Sequence, residues 1–329
     1  MHAISRIAVS VSVAFIVSPL AATVAAEGDE SILWSVDWSA DGKLFAVSGE
    51  KALWIYDVET FTRQFSLSVK DTAGAVSWHP SRKLLAVAAS PKDTTGIFDA
   101  ELNLKATLDT TRGARDIAWN SDGKLLATAG HDGSMQTWNN DGTLLHTAKP
   151  KNGKSLTGVA WHPKQNKVIS IGEFISSYDA NGRLINRVNH RPNSKGMCLL
   201  LCVEWHPSGE FFVVGDYGNP ETKDLPVLQF WSGDLTLLKT ITLKSSAELR
   251  NIDWSPDGSR LASASDALRI WTKDGQLTKS GQSPDLLWGV RWNNTRTTLL
   301  TSSITGRVAL WNSNAEVLKR VVEPKPAPQ

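Results

Sequence analysis

The sequence predicts an all-β protein, a single seven-bladed β-propeller of four-stranded antiparallel blades. Three observations predict this fold. A tryptophan motif recurs seven times, each copy contains four short strand-like segments, and no segment has the apolar period of a helix. The 329 residues suffice for one large all-β domain, and 41% hydrophobic with 21% charged residues is the composition of a globular protein.

The repeated motif is Val-x-Trp or Ile-x-Trp followed by a polar turn. Successive motif tryptophans are 40, 41, 42, 44, 49 and 38 residues apart. We number the copies as units 1 to 7 by their repeat tryptophans: Trp38, Trp78, Trp119, Trp161, Trp205, Trp254 and Trp292. This period indicates a ring or array of one supersecondary structure.

Unit 3 shows the order of elements inside a copy. Its first strand ends at Trp119, and a short apolar run, Leu125–Thr128, predicts a buried second strand. The third strand ends at Trp138, and the hairpin signal Asp141–Gly142 leads to a fourth strand. One such sheet cannot bury both of its faces alone, so the units must stack in a ring.

These residues resemble the WD-repeat β-propeller family over residues 31–322. The segments "WSPDG" at Trp254–Gly258 and "WNSDG" at Trp119–Gly123 are typical of the first turn of a WD repeat, and Trp138–Asn139 corresponds to the family's Trp-Asp pair. The family's Gly-His pair is missing from every link between units. The resemblance also implies that an exported member is unusual, because most relatives are intracellular.

The chain divides into three predicted segments. Residues 1–26 have the charged, apolar and small-residue order of a signal peptide, with cleavage after Ala26, although an uncleaved anchor is the alternative. Residues 27–322 form the propeller, and 323–329 a loose Pro-rich tail. We therefore expect an extracytoplasmic protein, periplasmic or secreted, without stable membrane insertion once the signal is removed. The last strand is expected at Glu316–Val322, and no blade is expected to combine both chain ends.

Composition and spacing exclude several kinds of chemistry. The net charge of +2, together with export, disfavours nucleic-acid binding. Carboxylates are scattered singly, and no phosphate loop or nucleophile elbow is found, so neither a catalytic residue nor a cofactor is expected. His79, His162 and His206 share a Trp-His-Pro context, but a ring would place them too far apart to bind one metal ion, so they are interpreted as turn residues.

Cys198 and Cys202 are the two cysteines of the chain. In a straight strand, residues four apart are separated by roughly 13 Å, too far for a disulfide. A Cys198–Cys202 bridge therefore requires Cys198 to fold back in a loop, and it is a candidate that export permits.

Loop length and charge indicate a working surface on one face. Unit 5 has an insertion at Asp216–Leu225, and the connection that leads into it is the longest link. In family geometry both loops lie on the narrow face of the ring. The links into units 3, 4 and 5 carry Lys and Arg without Asp or Glu: Arg112, Arg115, Lys149, Lys151, Lys154, Arg191 and Lys195. This basic arc predicts an acidic partner segment, although solvated loop lysines are the alternative.

Four residues before the repeat tryptophan stand Trp34, Arg115, Arg250 and Trp288. Units 7 and 1 become neighbours when the ring closes, so Trp34 and Trp288 should lie side by side at the channel mouth. Trp and Arg dominate interface energetics. The pair is expected to seal the seam, to contact a ligand, or to do both.

Two functional hypotheses remain. The first is a non-enzymatic protein- or peptide-binding scaffold that works outside the cytoplasm through the narrow face. The second is an extracytoplasmic propeller enzyme, of lactonase or hydrolase type, with its site in the central channel. The inner strands offer mostly small, apolar, Trp and Arg residues, which favours the scaffold. Three or more Asp, Glu or His side chains clustered in the folded channel would favour the enzyme instead.

Overall fold

The computed structural model describes residues 26–28, 32–149, 154–194, 196, 198–295 and 297–324. The predicted signal segment up to residue 25 and the tail from residue 325 lie outside these residues. The described strands are β1 Ala26–Gly28, β2 Leu33–Trp38, β3 Leu44–Asp57, β4 Arg63–Trp78, β5 Leu84–Ala89, β6 Gly96–Asp99, β7 Leu104–Thr107, β8 Ala114–Trp119, β9 Leu125–Gly130, β10 Met135–Asn139, β11 Leu144–Ala148, β12 Gly158–Trp161, β13 Val168–Ile171, β14 Ile175–Tyr178, β15 Leu184–Val188, β16 Leu200–Trp205, β17 Phe211–Asp216, β18 Val227–Ser232, β19 Leu237–Thr242, β20 Asn251–Trp254, β21 Arg260–Ala264, β22 Ala267–Thr272, β23 Leu277–Gln282, β24 Leu287–Trp292, β25 Thr298–Ser303, β26 Val308–Asn312 and β27 Val317–Pro324. Among these described residues, no helix is long and apolar enough to cross a bilayer.

The strands form six hydrogen-bonded sheets, so the prediction of seven four-stranded blades is wrong. Four sheets have four strands in chain order: β8 to β11, β12 to β15, β16 to β19, and β20 to β23. A six-stranded sheet, β2 to β7, contains units 1 and 2 together, and a five-stranded sheet contains unit 7. The seven repeat units are thus distributed over a six-sheet propeller.

The fusion of units 1 and 2 has a local cause at the link between them. β4 runs without a break from the outer edge of unit 1 to the inner edge of unit 2, and it pairs first with β3 and then with β5. The Asp93 carboxylate accepts hydrogen bonds from the main-chain N–H groups of Lys70, Asp71 and Thr72. Because these donors are satisfied by a side chain, the link stays extended instead of turning.

The sheet of unit 7 closes the ring against unit 1. Its order is β1-β27-β26-β25-β24, and β24 packs against β2. The expected C-terminal strand is present, and it reaches Pro324, two residues further than predicted. β1 adds to its outer edge in parallel, with Ala26 opposite Val322. The expectation that no sheet would combine both chain ends is therefore wrong.

Burial decreases from the inner strands to the rim. Second strands such as β9 are almost fully buried, whereas fourth strands such as β19 are mostly exposed. In unit 3 the indole of Trp138 donates to the hydroxyl of Thr128 across 3.2 Å, and Trp311 donates in the same way to Thr301 across 2.8 Å. These bonds tie the second and third strands together although the Gly-His pair is missing.

The three Trp-His-Pro histidines join successive units. Nε2 of His79, His162 and His206 lies 3.0 Å from the carbonyl oxygen of the turn glycine in the next unit. Nδ1 of each ring accepts a main-chain N–H from its own turn. Each neutral ring therefore donates through Nε2–H and accepts at Nδ1. Burial is the main cause that lowers the pKa of His79 and of His162, which favours this neutral form.

Candidate binding site: the central channel and its mouth

The first strands of the units surround an open channel of about 670 Å³. Its wall contains small residues, including Gly74, Ala75, Ala118 and Ala160, which leave a passage between its two charged levels. We call the outer level the mouth (Trp34, Trp288, Arg115 and Arg250) and the inner level the carboxylate belt (Asp37, Asp116, Glu204 and Asp253). Both levels line the same cavity.

The mouth residues owe their position to irregularities at the start of the first strands. Trp34, Arg115 and Trp288 each occupy the extra position of a register shift, in β2, β8 and β24. Arg250 stands immediately before β20. A β-bulge turns the side chain of the extra residue away from the regular alternation of the strand. Three of the four mouth side chains are thus set by bulges at equivalent positions.

Trp34 and Trp288 are in contact across the closing seam. Their ring centroids are 4.4 Å apart, at an interplanar angle of 59°. Gly289 permits this close approach, because a Cβ there would lie 3.2 Å from the Cα of Ser35 and 2.5 Å from the hydroxyl of Ser302. The structure shows the seam; a role of the two rings in binding stays a prediction.

Arg250 connects this pair to the insertion of unit 5. Its guanidinium lies 4.3 Å from the ring centroid of Trp288 and forms an ion pair with Glu248. Glu248 also accepts a hydrogen bond from Tyr217, which raises the pKa of that phenol. Tyr217, Glu248, Arg250, Trp288 and Trp34 therefore form one continuous surface from the insertion to the seam.

Arg115 is the half-buried cation of the mouth that lacks a counterion. Within the described ranges its side chain has neither an ion pair nor a hydrogen bond. Burial, and then the nearby charge of Arg250, lower the pKa of Arg115. Burial, followed by the charges of Arg115 and Arg112, lowers the pKa of His131, which also lines the channel. A partly desolvated guanidinium without a partner is a suitable donor for a carboxylate.

The carboxylate belt surrounds one arginine, Arg291 of unit 7. Its guanidinium nitrogens lie 3.2 Å from Asp253, 3.7 Å from Asp37 and 3.7 Å from Glu204. Burial, the largest cause, raises the pKa of Asp37 and of Asp253 to about 6 and that of Glu204 to about 8, and it also raises the pKa of Asp116. The carboxylates raise the pKa of Arg291 in return. At neutral pH Glu204 is thus largely protonated, whereas Asp37 and Asp253 are largely charged.

Three members of the belt also fasten neighbouring units. Asp37 accepts the main-chain N–H of Trp78 across 2.6 Å, and Asp116 accepts that of Val159 across 2.9 Å. Asp253 accepts the N–H of Trp292. Among the residues described, Glu204 has no such hydrogen bond and has Arg291 as its ion-pair partner. The scattered carboxylates of the sequence therefore converge, and the expectation of no cluster is wrong.

The predicted basic arc is largely neutralised. Lys149 pairs with Asp132 at 2.8 Å, Lys154 with Glu173 at 3.4 Å, and Arg191 with Asp216 at 2.6 Å. Asp132 and Glu173 come from the loops between second and third strands, and Asp216 is the last residue of the second strand of unit 5, so all three reach the same face as the links. Arg112 is exposed, and Lys151 and Lys195 lie outside the described residues.

The insertion of unit 5 is organised around the buried carboxylate of Asp216. It accepts hydrogen bonds from Arg191 and from the main-chain N–H groups of Gly218 and Val227. His190 Nε2 and Cys198 Sγ lie 3.3 and 3.4 Å from it. Ligand atoms of His190, Cys198 and Asp216 lie within 4.8 Å of one another. A metal ion there would have to displace Arg191, so the present arrangement does not fit one.

The candidate disulfide between Cys198 and Cys202 is not formed, because both cysteines are free. Cys198 faces Asp216 and the carbonyl of Gly218, whereas Cys202 donates to the carbonyl of Leu249. Burial, the main cause, raises the pKa of Cys198 to about 12 and also raises that of Cys202. Both are protonated, unreactive thiols at neutral pH.

Sequence reasoning missed the belt, although the sequence contains a signal for it. Successive side chains of a strand point to opposite faces, so a residue just before a buried repeat tryptophan faces the channel. That position holds Asp37, Glu204, Asp253 and Arg291 in units 1, 5, 6 and 7. Aligning the seven units by this position would have placed three carboxylates and one arginine in the channel.

A ring of repeated antiparallel units around an open channel defines the class of the protein, a β-propeller. A family profile described as WD domain, G-beta repeat matches residues 236–272, and one described as eukaryotic translation initiation factor eIF2A matches residues 26–173. These matches, the relatives below and the propeller architecture together support a WD-repeat β-propeller.

The chain is similar to two relatives over most of its length. It is 27% identical to WD repeat-containing protein slp1 of Schizosaccharomyces pombe, over 77% of this chain and 53% of slp1. It is 25% identical to protein transport protein sec13 of Aspergillus clavatus, over 83% of this chain and 92% of sec13. The match thus spans about half the length of slp1 and nearly all of sec13.

Proposed function

We propose that this protein is a non-enzymatic scaffold that binds a protein or peptide through the narrow face of its propeller, outside the cytoplasm. The WD-repeat relatives suggest a protein-interaction scaffold. The observation that carries the proposal is the mouth, where the unpaired guanidinium of Arg115 lies near the Trp34–Trp288 pair and Arg250. Aromatic and arginine side chains at the centre of a cavity are typical of residues that dominate binding.

The chemistry of the mouth favours an acidic partner segment. Arg250 is neutralised by Glu248, so Arg115 supplies the uncompensated charge. A carboxylate of the partner would pair with Arg115 and compensate for the hydration that the half-buried guanidinium has lost. Such an interaction weakens as salt increases, because the mouth is open to solvent.

The test is capture of partners from the native extracytoplasmic fraction by residues 27–329, followed by mass-spectrometric identification and cross-link mapping. We expect a retained protein whose cross-linked segment is acidic, lost with Arg115→Gln and kept with the control Arg183→Gln. Arg183 has an 83% exposed side chain and pairs with Asp179 away from the channel. Equal retention by both variants would overturn the role of Arg115.

The proposed location rests on the signal-like N-terminal segment of the sequence. N-terminal sequencing of the native protein tests it directly. We expect Glu27 as the first residue. A native chain that begins at Met1 would overturn cleavage and leave the uncleaved anchor as the alternative.

The carboxylate belt favours a second candidate, an extracytoplasmic propeller hydrolase or lactonase. The belt has four carboxylates, so it meets the condition given above for an enzyme, which is three or more Asp, Glu or His side chains clustered in the channel. Three of its members, however, are bound to main-chain N–H groups of the next unit, which leaves Glu204 as the side chain available for proton transfer. A panel of lactones and esters, tested with wild type and with Glu204→Gln, separates the two candidates. Wild-type turnover that Glu204→Gln abolishes would establish the enzyme. Wild-type turnover no higher than that of Glu204→Gln supports the scaffold.

A further inference from the structure

The channel contains more negative than positive groups beneath a cationic mouth. Four carboxylates face one guanidinium, that of Arg291, in the belt. Their side chains are not sealed, since Glu204 keeps 32% of its surface exposed and Arg291 keeps 26%. Glu204 lies 3.7 Å from Arg291, too far for a direct hydrogen bond. Its carboxylate can therefore accept a further donor that enters through the channel.

In units 1 and 6 the two charged levels are separated along the first strand, whereas in unit 3 Arg115 and Asp116 are adjacent. Arg250 and Asp253 are three residues apart along the first strand of unit 6, and Trp34 and Asp37 are three apart in unit 1, which corresponds to about 10 Å. Small side chains line the wall between them. Lys and Arg have apolar stems that cross such a wall while their charged ends stay in a polar environment.

We infer that the channel takes one Lys or Arg side chain of the partner segment, whose cationic end pairs with Glu204 while a neighbouring carboxylate of the same segment pairs with Arg115. The inference rests on the proposed function and deepens it, because it specifies the partner as an acidic segment that contains a basic residue. The Trp34–Trp288 pair then covers the stem of the inserted side chain at the mouth.

Insertion of this cation displaces protons from the belt. Glu204 has a pKa of about 8 and is largely protonated at pH 7. The groups that face it are Arg291, Asp253, Asp116 and Asp37. A second cation beside Glu204 stabilises its charged form, so binding releases a proton and strengthens as the pH rises from 6 toward 8.

The experiment uses an array of acetylated pentapeptides in which Asp or Glu surrounds one varied central residue. Residues 27–329 are tested as wild type, Glu204→Gln, Arg115→Gln and the control Glu210→Gln. Glu210 is an exposed residue of the same unit, six positions away from Glu204. Binding is measured by fluorescence anisotropy at pH 6 and pH 8.

We expect peptides with central Lys or Arg to bind about tenfold or more tightly than those with central norleucine or Gln, because a hydrogen bond to a charged group is gained. Glu204→Gln should remove this preference and its pH dependence, Arg115→Gln should weaken every peptide, and Glu210→Gln should change neither.

The failures are distinguishable. If all acidic peptides bind through Arg115 without preference for the central residue, or if the preference persists in Glu204→Gln, the inference is wrong and the scaffold function stands. If no peptide binds at either pH, both the inference and the acidic-segment proposal are overturned.

Discussion

Replacement of Gly123 by Ala tests whether successive units are held together by the turn histidines. Gly123 has a φ of +70°, and a Cβ there would lie 2.2 Å from Cε1 and 2.3 Å from Nε2 of His79. The His79 ring is 2% exposed and packs edge-on against Trp119 at 4.9 Å. The added methyl group must therefore push the ring out of a filled interface.

The cost can be worked from three contributions. A left-handed conformation costs Ala about 1 kcal/mol relative to Gly. Loss of the bond from His79 to the Gly123 carbonyl costs about 1 kcal/mol, and loss of the ring contact with Trp119 about as much again. Gly123→Ala should thus lower the free energy of unfolding by about 3 kcal/mol.

A matched control separates backbone strain from the clash. Gly196 has a φ of +86°, but a Cβ there would meet its nearest atoms only at 3.4 Å, so Gly196→Ala should cost about 1 kcal/mol. In a His79→Ala background the clash is absent, and Gly123→Ala should also cost about 1 kcal/mol. Urea denaturation followed by tryptophan fluorescence measures all four variants. Equal costs of Gly123→Ala with and without His79 would refute the reasoning.

Two further predictions concern the channel. Because Glu204 has a pKa of about 8 in the fold against an ordinary value of 4.5, its contribution to stability decreases as the pH rises between these values. The melting temperature of Glu204→Gln should therefore rise relative to that of wild type between pH 5 and pH 8. If differential scanning fluorimetry shows the same difference in melting temperature at both pH values, the prediction is contradicted. Trp34→Ala removes the ring contact with Trp288 and should cost about 1 kcal/mol of stability, while it weakens partner binding more than tenfold. If Trp34→Ala unfolds the protein without selectively weakening partner binding, the Trp34–Trp288 pair has only a structural role at the contact between units 7 and 1.

The repeat motif was enough to predict the ring, because each Val-x-Trp copy specifies its own strands and turns. It was not enough to predict the number of sheets. The link between units 1 and 2 is extended because Asp93, more than twenty residues away in the chain, accepts three of its main-chain N–H groups. The pattern of β4 alone does not reveal that partner.

The basic arc shows a second limit of prediction from sequence: the charges of one stretch of chain do not give the charge of the surface that it forms. The links into units 3, 4 and 5 contain Lys and Arg without carboxylates, which indicated a free positive surface. Folding brings Asp132, Glu173 and Asp216 to the same face from other parts of the chain, and each pairs with one of these cations. The charge of a surface depends on which loops the ring places together, so Arg115 within the mouth is a better indicator of binding than the arc.

The belt combines a structural and a functional arrangement in the same few positions. Asp37, Asp116 and Asp253 hold the next unit through main-chain hydrogen bonds, so their substitution would loosen the ring and obscure any effect on binding. Glu204 takes part in none of these bonds, and its pKa is the highest of the three that are raised to about 6 or 8. A carboxylate that is unfavourable to bury and is not used to join units costs stability without a structural return. Arg291 offsets part of that cost, and a second cation that reaches Glu204 would offset more of it, which is why Glu204 is the position at which binding and folding can be separated.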